Sequence, residues 1–341
     1  VGFIQGTTWG TPVAVGAGRG LRLRSFDDSG GGHEPLPRED IGDAYGSKFD
    51  KGGERRSVTL SGDAYYGGNV FELWAYMFGT SGAPTNNTGS YTHTLTMTDA
   101  IAKFLTLCAG KRSSQKPWEY DSMIAQSLTI RGAGAGRVTY EIIFLGGTLD
   151  TASSTNTATE IQALTTPTLQ QAMKFTDGVF RMNAASGSGL VAGDAFVILD
   201  FELSIARPLT EDFGTGSASM LQPCEDGPAA DVMLSVTLRD YNTEQFITWW
   251  NGVSEATSLK GDLIFSSGLT PASGLELTAT FQFPELVVAN EPDAPISGPT
   301  RIPHTIRFKC FEASSAPTGM SGVTKPVHLV VEDTDSSAYL A

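Results

Sequence analysis

Ser57–Gly79, SVTLSGDAYYGGNVFELWAYMFG, reads as a strand, a glycine turn and one short helix. Val58 and Leu60 alternate with Thr59 and Ser61, the period-2 pattern of a half-buried strand. Gly67 and Gly68 break it, and Asn69 is placed to cap a helix. Phe71, Trp74 and Phe78 then put three large rings on one helical face, which must be buried against a sheet. Gly79 supplies the residue that tolerates a left-handed helix end. The same pattern returns at Asp231–Gly252, DVMLSVTLRDYNTEQFITWWNG. There Val232, Leu234, Val236 and Leu238 alternate, and Phe246, Trp249 and Trp250 form the second ring cluster. Two such units, each followed by similar strand runs, imply an internal duplication.

The 341 residues suffice for about two domains. With 18% charged residues and 39 glycines, the composition suits turns and strands rather than a helical bundle. The expected fold class is all-β with short helices: two similar β-sandwich domains, each with one helix. A first domain over 1–150 would carry a long polar loop at 25–56. The Thr/Ser-rich, nearly uncharged stretch 151–172 reads as a linker, and 173–341 as the second domain. Strands are expected at Tyr91–Met97, Phe104–Cys108, Met123–Ile130 and Arg137–Leu145. In the second half they fall at Met173–Met182, Ala195–Ile205, Leu259–Phe265, Leu275–Phe283, Thr305–Phe311 and Val327–Glu332. Val13 with Val15, and Leu21 with Leu23, read as a further short hairpin.

The net charge is −14 and the pI about 4.7. A nucleic-acid binder needs lysine and arginine to release counterions from phosphates, so a specific grip on DNA is excluded as the main role. The segment from Arg19 to Arg56 is balanced, eight basic residues against eight acidic, and the remainder carries the excess. Within it, Ile41, Tyr45 and Phe49 recur every four residues. They are read as apolar anchors of an arm, with Arg55 and Arg56, that docks on a neighbouring subunit, a solvated surface loop being the alternative. No apolar run approaches the ~20 residues of a membrane-spanning helix, and no leader-like segment precedes Val1, so no membrane association is expected. Cys108, Cys224 and Cys310 lack the spacing of a zinc site or disulfide framework. His33, His93, His304 and His328 are scattered, no G-x-S-x-G elbow or P-loop is present, and the carboxylate pairs lie side by side in loops. No catalytic site, cofactor or metal is expected. The tryptophan clusters, at helical spacing, belong to helix–sheet cores.

A strand ending in S-G-D, a short helix closing at Gly79 and the strand THTLT resemble the tail tube proteins of tailed bacteriophages. Ser122–Gly147, SMIAQSLTIRGAGAGRVTYEIIFLGG, is similar to that family's paired strands. Phe196–Arg207, FVILDFELSIAR, resembles its strand leading into a second domain, followed later by PELVVANEP and SGPTRIPHTIRFKCFEA. The resemblance implies a structural subunit whose strands close a β-barrel ring with other copies. Stacked rings would form a hollow conduit for DNA. A duplicated chain implies three subunits per pseudo-sixfold ring, six whole subunits being the alternative. Long non-contractile tails, a virion location after assembly in the host cytoplasm, and tape-measure and tail tip or terminator proteins as partners are implied with it. DNA would pass without specific binding. The competing expectations are an extracellular adhesin or carbohydrate-binding β-sandwich and, second to it, a β-sandwich hydrolase.

Overall fold

The computed structural model describes residues 1–37, 49–99, 103–111, 116–168, 171–225, 230–239, 258–271, 274–289 and 304–340. The first half contains β1 (Gly2–Gln5), β2 (Ser25–Pro37), β3 (Phe49–Asp63) and helix α1 (Val70–Phe78). It continues with β4 (Gly79–Ser81), β5 (Thr85–Asn86), β6 (Tyr91–Met97), β7 (Leu105–Lys111), β8 (Lys116–Ala133), β9 (Thr139–Gly146) and β10 (Leu149–Asp150). A short helix α2 (Ala158–Gln162) leads to β11 (Gly178–Ala184), β12 (Ala195–Phe196) and β13 (Ile198–Ala206). Then come β14 (Leu209–Thr210), β15 (Cys224–Glu225), β16 (Asp231–Leu238), β17 (Leu259–Ser266), β18 (Thr278–Val288), β19 (His304–Phe311) and β20 (His328–Asp333). The fold is all-β, and the main sheet of one chain is open, not closed into a barrel.

Neighbouring strands run antiparallel in the order β2, β3, β9, β8, β13, β16, β19, β18. Alternation builds this sheet with one dry face. Gly62, Tyr140, Ile130, Leu203, Leu234 and Phe308 form one register row on it, and all six are buried. Six of the pairings within the first half recur in the second. β1–β7, β2–β3, β3–β9, β7–β8, β8–β9 and β8–β10 match β11–β17, β13–β16, β16–β19, β17–β18, β18–β19 and β18–β20. Even a β-bulge recurs. Leu105 lies opposite Met123 and Leu107 opposite Tyr120; Leu259 lies opposite Leu286 and Gly261 opposite Phe283. Irregularities of this kind are positioned features of a fold. The halves share one hydrophobic core, in which Trp74 of α1 lies 6.2 Å from Phe281 of β18. They are also joined edge to edge, β8 to β13.

Several expectations change. The 25–56 loop is a hairpin: β2 pairs with β3 along its length, with register shifts between Asp27 and Gly30 and between His33 and Pro35. The backbone ladder builds this ribbon with little apolar alternation, which is why periodicity does not reveal it. The small hairpin at Val13–Leu23 does not form, because its amides have other partners. Val13 N–H donates to Thr106 Oγ1 (3.0 Å), Val15 N–H to Asn156 Oδ1 (2.7 Å) and Leu21 N–H to the Val1 carbonyl (2.8 Å). Asn69 occupies the N-cap position with φ 66°, yet its side chain caps nothing there. Its amide donates instead to the carbonyls of Gly18 and Gly20. Gly79 closes α1 at φ 88°, as its lack of a Cβ permits. The linker holds α2, begun by a capping box between Thr157 and Glu160.

Candidate functional site

The wet face of the main sheet is built by the residues that alternate with its core. One register row reads Ser61, Glu141, Thr129, Ser204, Met233 and Lys309; the next reads Asp63, Thr139, Arg131, Glu202, Ser235 and Arg307. Apart from Met233, these are short hydroxyl side chains and charges of both signs. Arg131 Nε donates to Glu202 at 2.6 Å across the β8–β13 junction, and Lys309 lies 3.1 Å from Asp231. Asp63 takes Arg24 at 2.6 Å and Arg137 at 3.0 Å. The face therefore offers neither a basic track for phosphates nor an aromatic platform for bases. The expected one-face-wet strand at Ala195–Ile205 is part of it, split into β12 and β13.

The β2–β3 hairpin projects past the end of β9, whose last partner on β3 is Arg56 opposite Gly146. Its base is tied down from several sides. Asp28 accepts from both Lys111 and Tyr120, and the Lys111 ammonium sits 3.7 Å above the Trp118 ring. Arg55 pairs with Glu211, and Arg56 donates to Glu54 at 2.8 Å. So both arginines stand at the hairpin base on ion pairs of their own chain, not at its far end. Phe49 opens β3, opposite Pro37. Ile41 and Tyr45 lie outside the described residues, as do Phe246, Trp249 and Trp250.

The loop after β13 crosses to this base. Glu54 N–H donates to the Ala218 carbonyl (2.9 Å) and Met220 N–H to the Glu54 carbonyl (3.1 Å), a short parallel bridge beyond the end of β9. Met220 is thereby buried among Phe104, Ile124 and Leu145, with Trp9 and Leu209 against them. The Phe213 ring lies where a side chain at Gly53 would project, so this crossing needs a glycine there.

Phe71, Trp74 and Phe78 all lie in the core, as their spacing predicts, but the helix does not bury one face alone. Every residue from Val70 to Phe78 is buried, because α1 lies between the sheets of both halves. Glu72 is therefore buried too. It meets Arg19, yet burial outweighs the guanidinium and pushes its carboxyl up to about 7. Arg207, also buried, donates to the carbonyls of Met77 (3.3 Å), Phe78 (3.4 Å) and Thr98 (3.0 Å). It thus supplies positive charge at the C-terminus of a helix in the other half. Beside them His93 stacks on Tyr339 at 3.9 Å and lies 3.3 Å from Asp333. Burial would lower its pKa, but the Asp333 carboxylate wins and the net direction is upward.

Sequence reasoning missed Arg207, Met220 and the β8–β13 junction, since each contact joins residues far apart in the chain. An arginine in phase with the apolar residues Phe201, Leu203 and Ile205 is the one signal the sequence offers. Among the described residues, no group of three or more histidine, cysteine, aspartate or glutamate side chains could hold a metal ion, and no helix is long and apolar enough to cross a membrane. No protein-family profile matches the chain, and no curated protein matches it.

Proposed function

We propose that this chain is a structural subunit that polymerises through its sheet edges into rings, stacked as a hollow tail tube of the bacteriophage type. Three copies supply six units per ring. One observation carries this reading: a strand order that occurs twice, with a junction used once. β13 pairs with β3's counterpart, β16, on one edge and with β8 on the other. Its own counterpart, β2, pairs with β3 but has no strand on its outer edge among the described residues. An edge with no described partner is a template for another strand where it keeps its N–H groups, which Pro35 and Pro37 lack. A head-to-tail contact of this kind is heterologous and closes into a ring when the rotation allows. The counterparts of the β8 residues that pair with β13 follow Val288 and lie outside the described residues. The wet face of small hydroxyls and mixed charges suits a wall past which DNA slides, and the net charge of −14 disfavours its adhesion. Electron microscopy of the purified, concentrated protein tests the reading. Hollow tubes with a regular axial repeat and three subunits per ring are expected. A protein that stays monomeric at all concentrations, and with tail-tip extracts added as nuclei, overturns it.

A further inference from the structure

Lys260 of β17 is wholly buried. Its amine is held not by a carboxylate but by two carbonyls, those of Gly187 (2.8 Å) and Thr318 (3.1 Å). Asp262, on the same face of β17, is taken by Arg181, whose Nε donates to it at 2.9 Å. Two loops seal the place. Gly189 and Gly319 meet backbone to backbone over it, and a side chain at Gly319 would strike the Gly189 Cα. Burial lowers the Lys260 pKa, and the Asp194 carboxylate opposes this only in part. A desolvated lysine is drawn towards its neutral form, which is a nucleophile.

Directly opposite Lys260 stands Asn183 of β11. Side chains opposite each other in an antiparallel pair share a face and lie within reach of one another. The Asn183 carboxamide is fixed in place. Its Nδ2 donates to the Ser188 carbonyl and to Asp194 Oδ2, both at 3.2 Å. Its Oδ1 is buried and has no hydrogen-bond partner among the described residues. Both side chains converge on Gly187: Lys260 meets its carbonyl, and Asn183 Cγ lies 3.8 Å from where a Cβ there would project. An amine, a carboxamide carbon and a carboxylate on the would-be leaving nitrogen thus share one sealed site.

We infer that Lys260 and Asn183 join in an intramolecular isopeptide bond. The Lys260 amine turns from its carbonyls about its terminal side-chain bonds and attacks Asn183 Cγ. Asp194 accepts one proton from the attacking nitrogen and delivers it to Nδ2. The Nζ–Cγ bond forms, the Cγ–Nδ2 bond breaks, ammonia leaves, and Asp194 ends as the carboxylate it began as. The step needs no oxidant and no further reactant. The product ties β11 to β17 near the end of their ladder and restricts the unfolded chain as a disulfide does. It forms within one copy, so it stands independently of the proposed assembly.

Mass spectrometry of the intact full chain tests it. A mass one ammonia below that of the sequence is expected, and trypsin should leave a branched peptide joining Asn183 to an uncleaved Lys260. Lys260→Arg should restore the full mass and abolish the branched peptide. Asp194→Asn, with the parent's circular dichroism spectrum, should slow bond formation by roughly a hundredfold when followed from synthesis onward. A chain of full sequence mass that trypsin cleaves after Lys260 overturns the proposal, as does an ammonia loss that maps to another asparagine. A parental rate in Asp194→Asn overturns the part given to that carboxylate.

Discussion

The two halves share six strand pairings but differ in what completes them. The first half is completed from within: β13 covers the edge of β8, Met220 fills the socket past Leu145, and Arg207 holds the end of α1. Among the described residues, the second half presents a cavity at Lys309 and Phe311 without such a plug, and the outer edge of β2 has no strand beside it. The recurring strand order is thus completed once within the chain. On the proposed function, stability and assembly would reside in different places. Contacts made across the intrachain junction hold the two halves of the subunit together.

The largest separation is expected at Arg207. Arg207→Met leaves the buried carbonyls of Met77, Phe78 and Thr98 without their charged donor. Urea unfolding should show a loss of about 4 kcal/mol, several charge-assisted bonds being removed at once. A loss below about 1 kcal/mol would mean that the halves do not depend on this link. Next come Met220 and Phe311. Met220→Ala should cost about 3 kcal/mol through the cavity it leaves. Phe311→Ala, at the second-half cavity, should change the monomer by less than about 0.5 kcal/mol. Equal losses in the two variants would erase the distinction between the filled socket and that cavity.

A smaller effect is expected from Glu72, buried between the halves beside Arg19 and Asp335. Its folded pKa of about 7 lies above the ordinary glutamate value, so the folded chain binds the extra proton. Its contribution is therefore full below the unfolded pKa and falls as pH rises towards and through 7. His93, also shifted upward, acts in the same direction at higher pH. Glu72→Gln should remove about 2 kcal/mol of the fall in stability between pH 5 and 8, read from denaturation midpoints across that range. A variant with the parent's pH profile would place the sensitivity elsewhere.

The parts of this fold that announce themselves in the sequence are local. Tyr91–Met97 alternates cleanly and is a strand with those bounds, and Phe71, Trp74 and Phe78 are core residues as their spacing requires. The all-β class follows from many such runs. What escaped is non-local or carried by backbone. The β2–β3 ribbon has glycines, prolines and charges where a strand usually has apolar residues, because its projecting part has no core to face. Asn69 looks like a cap, but two carbonyls fifty residues away claim its amide. Val13 and Val15 alternate like a strand, yet side chains of Thr106 and Asn156 take their N–H groups. Arg55 and Arg56, legible as arm residues, find partners in their own chain because the loop after β13 brings Glu211 to the hairpin base and Glu54 lies beside Arg56.

Hydrogen–deuterium exchange resolved along β2 and β13 tests the central claim most directly. In dilute protein, the outward amides of β2 should exchange quickly while those of β13, held between β8 and β16, stay protected. At concentrations where particles form, β2 should gain protection approaching that of β13, with β3 and β9 little changed. Outward β2 amides that exchange equally fast in dilute and assembled protein would contradict the account, because assembly would then proceed without the edge that the duplicated strand order leaves open.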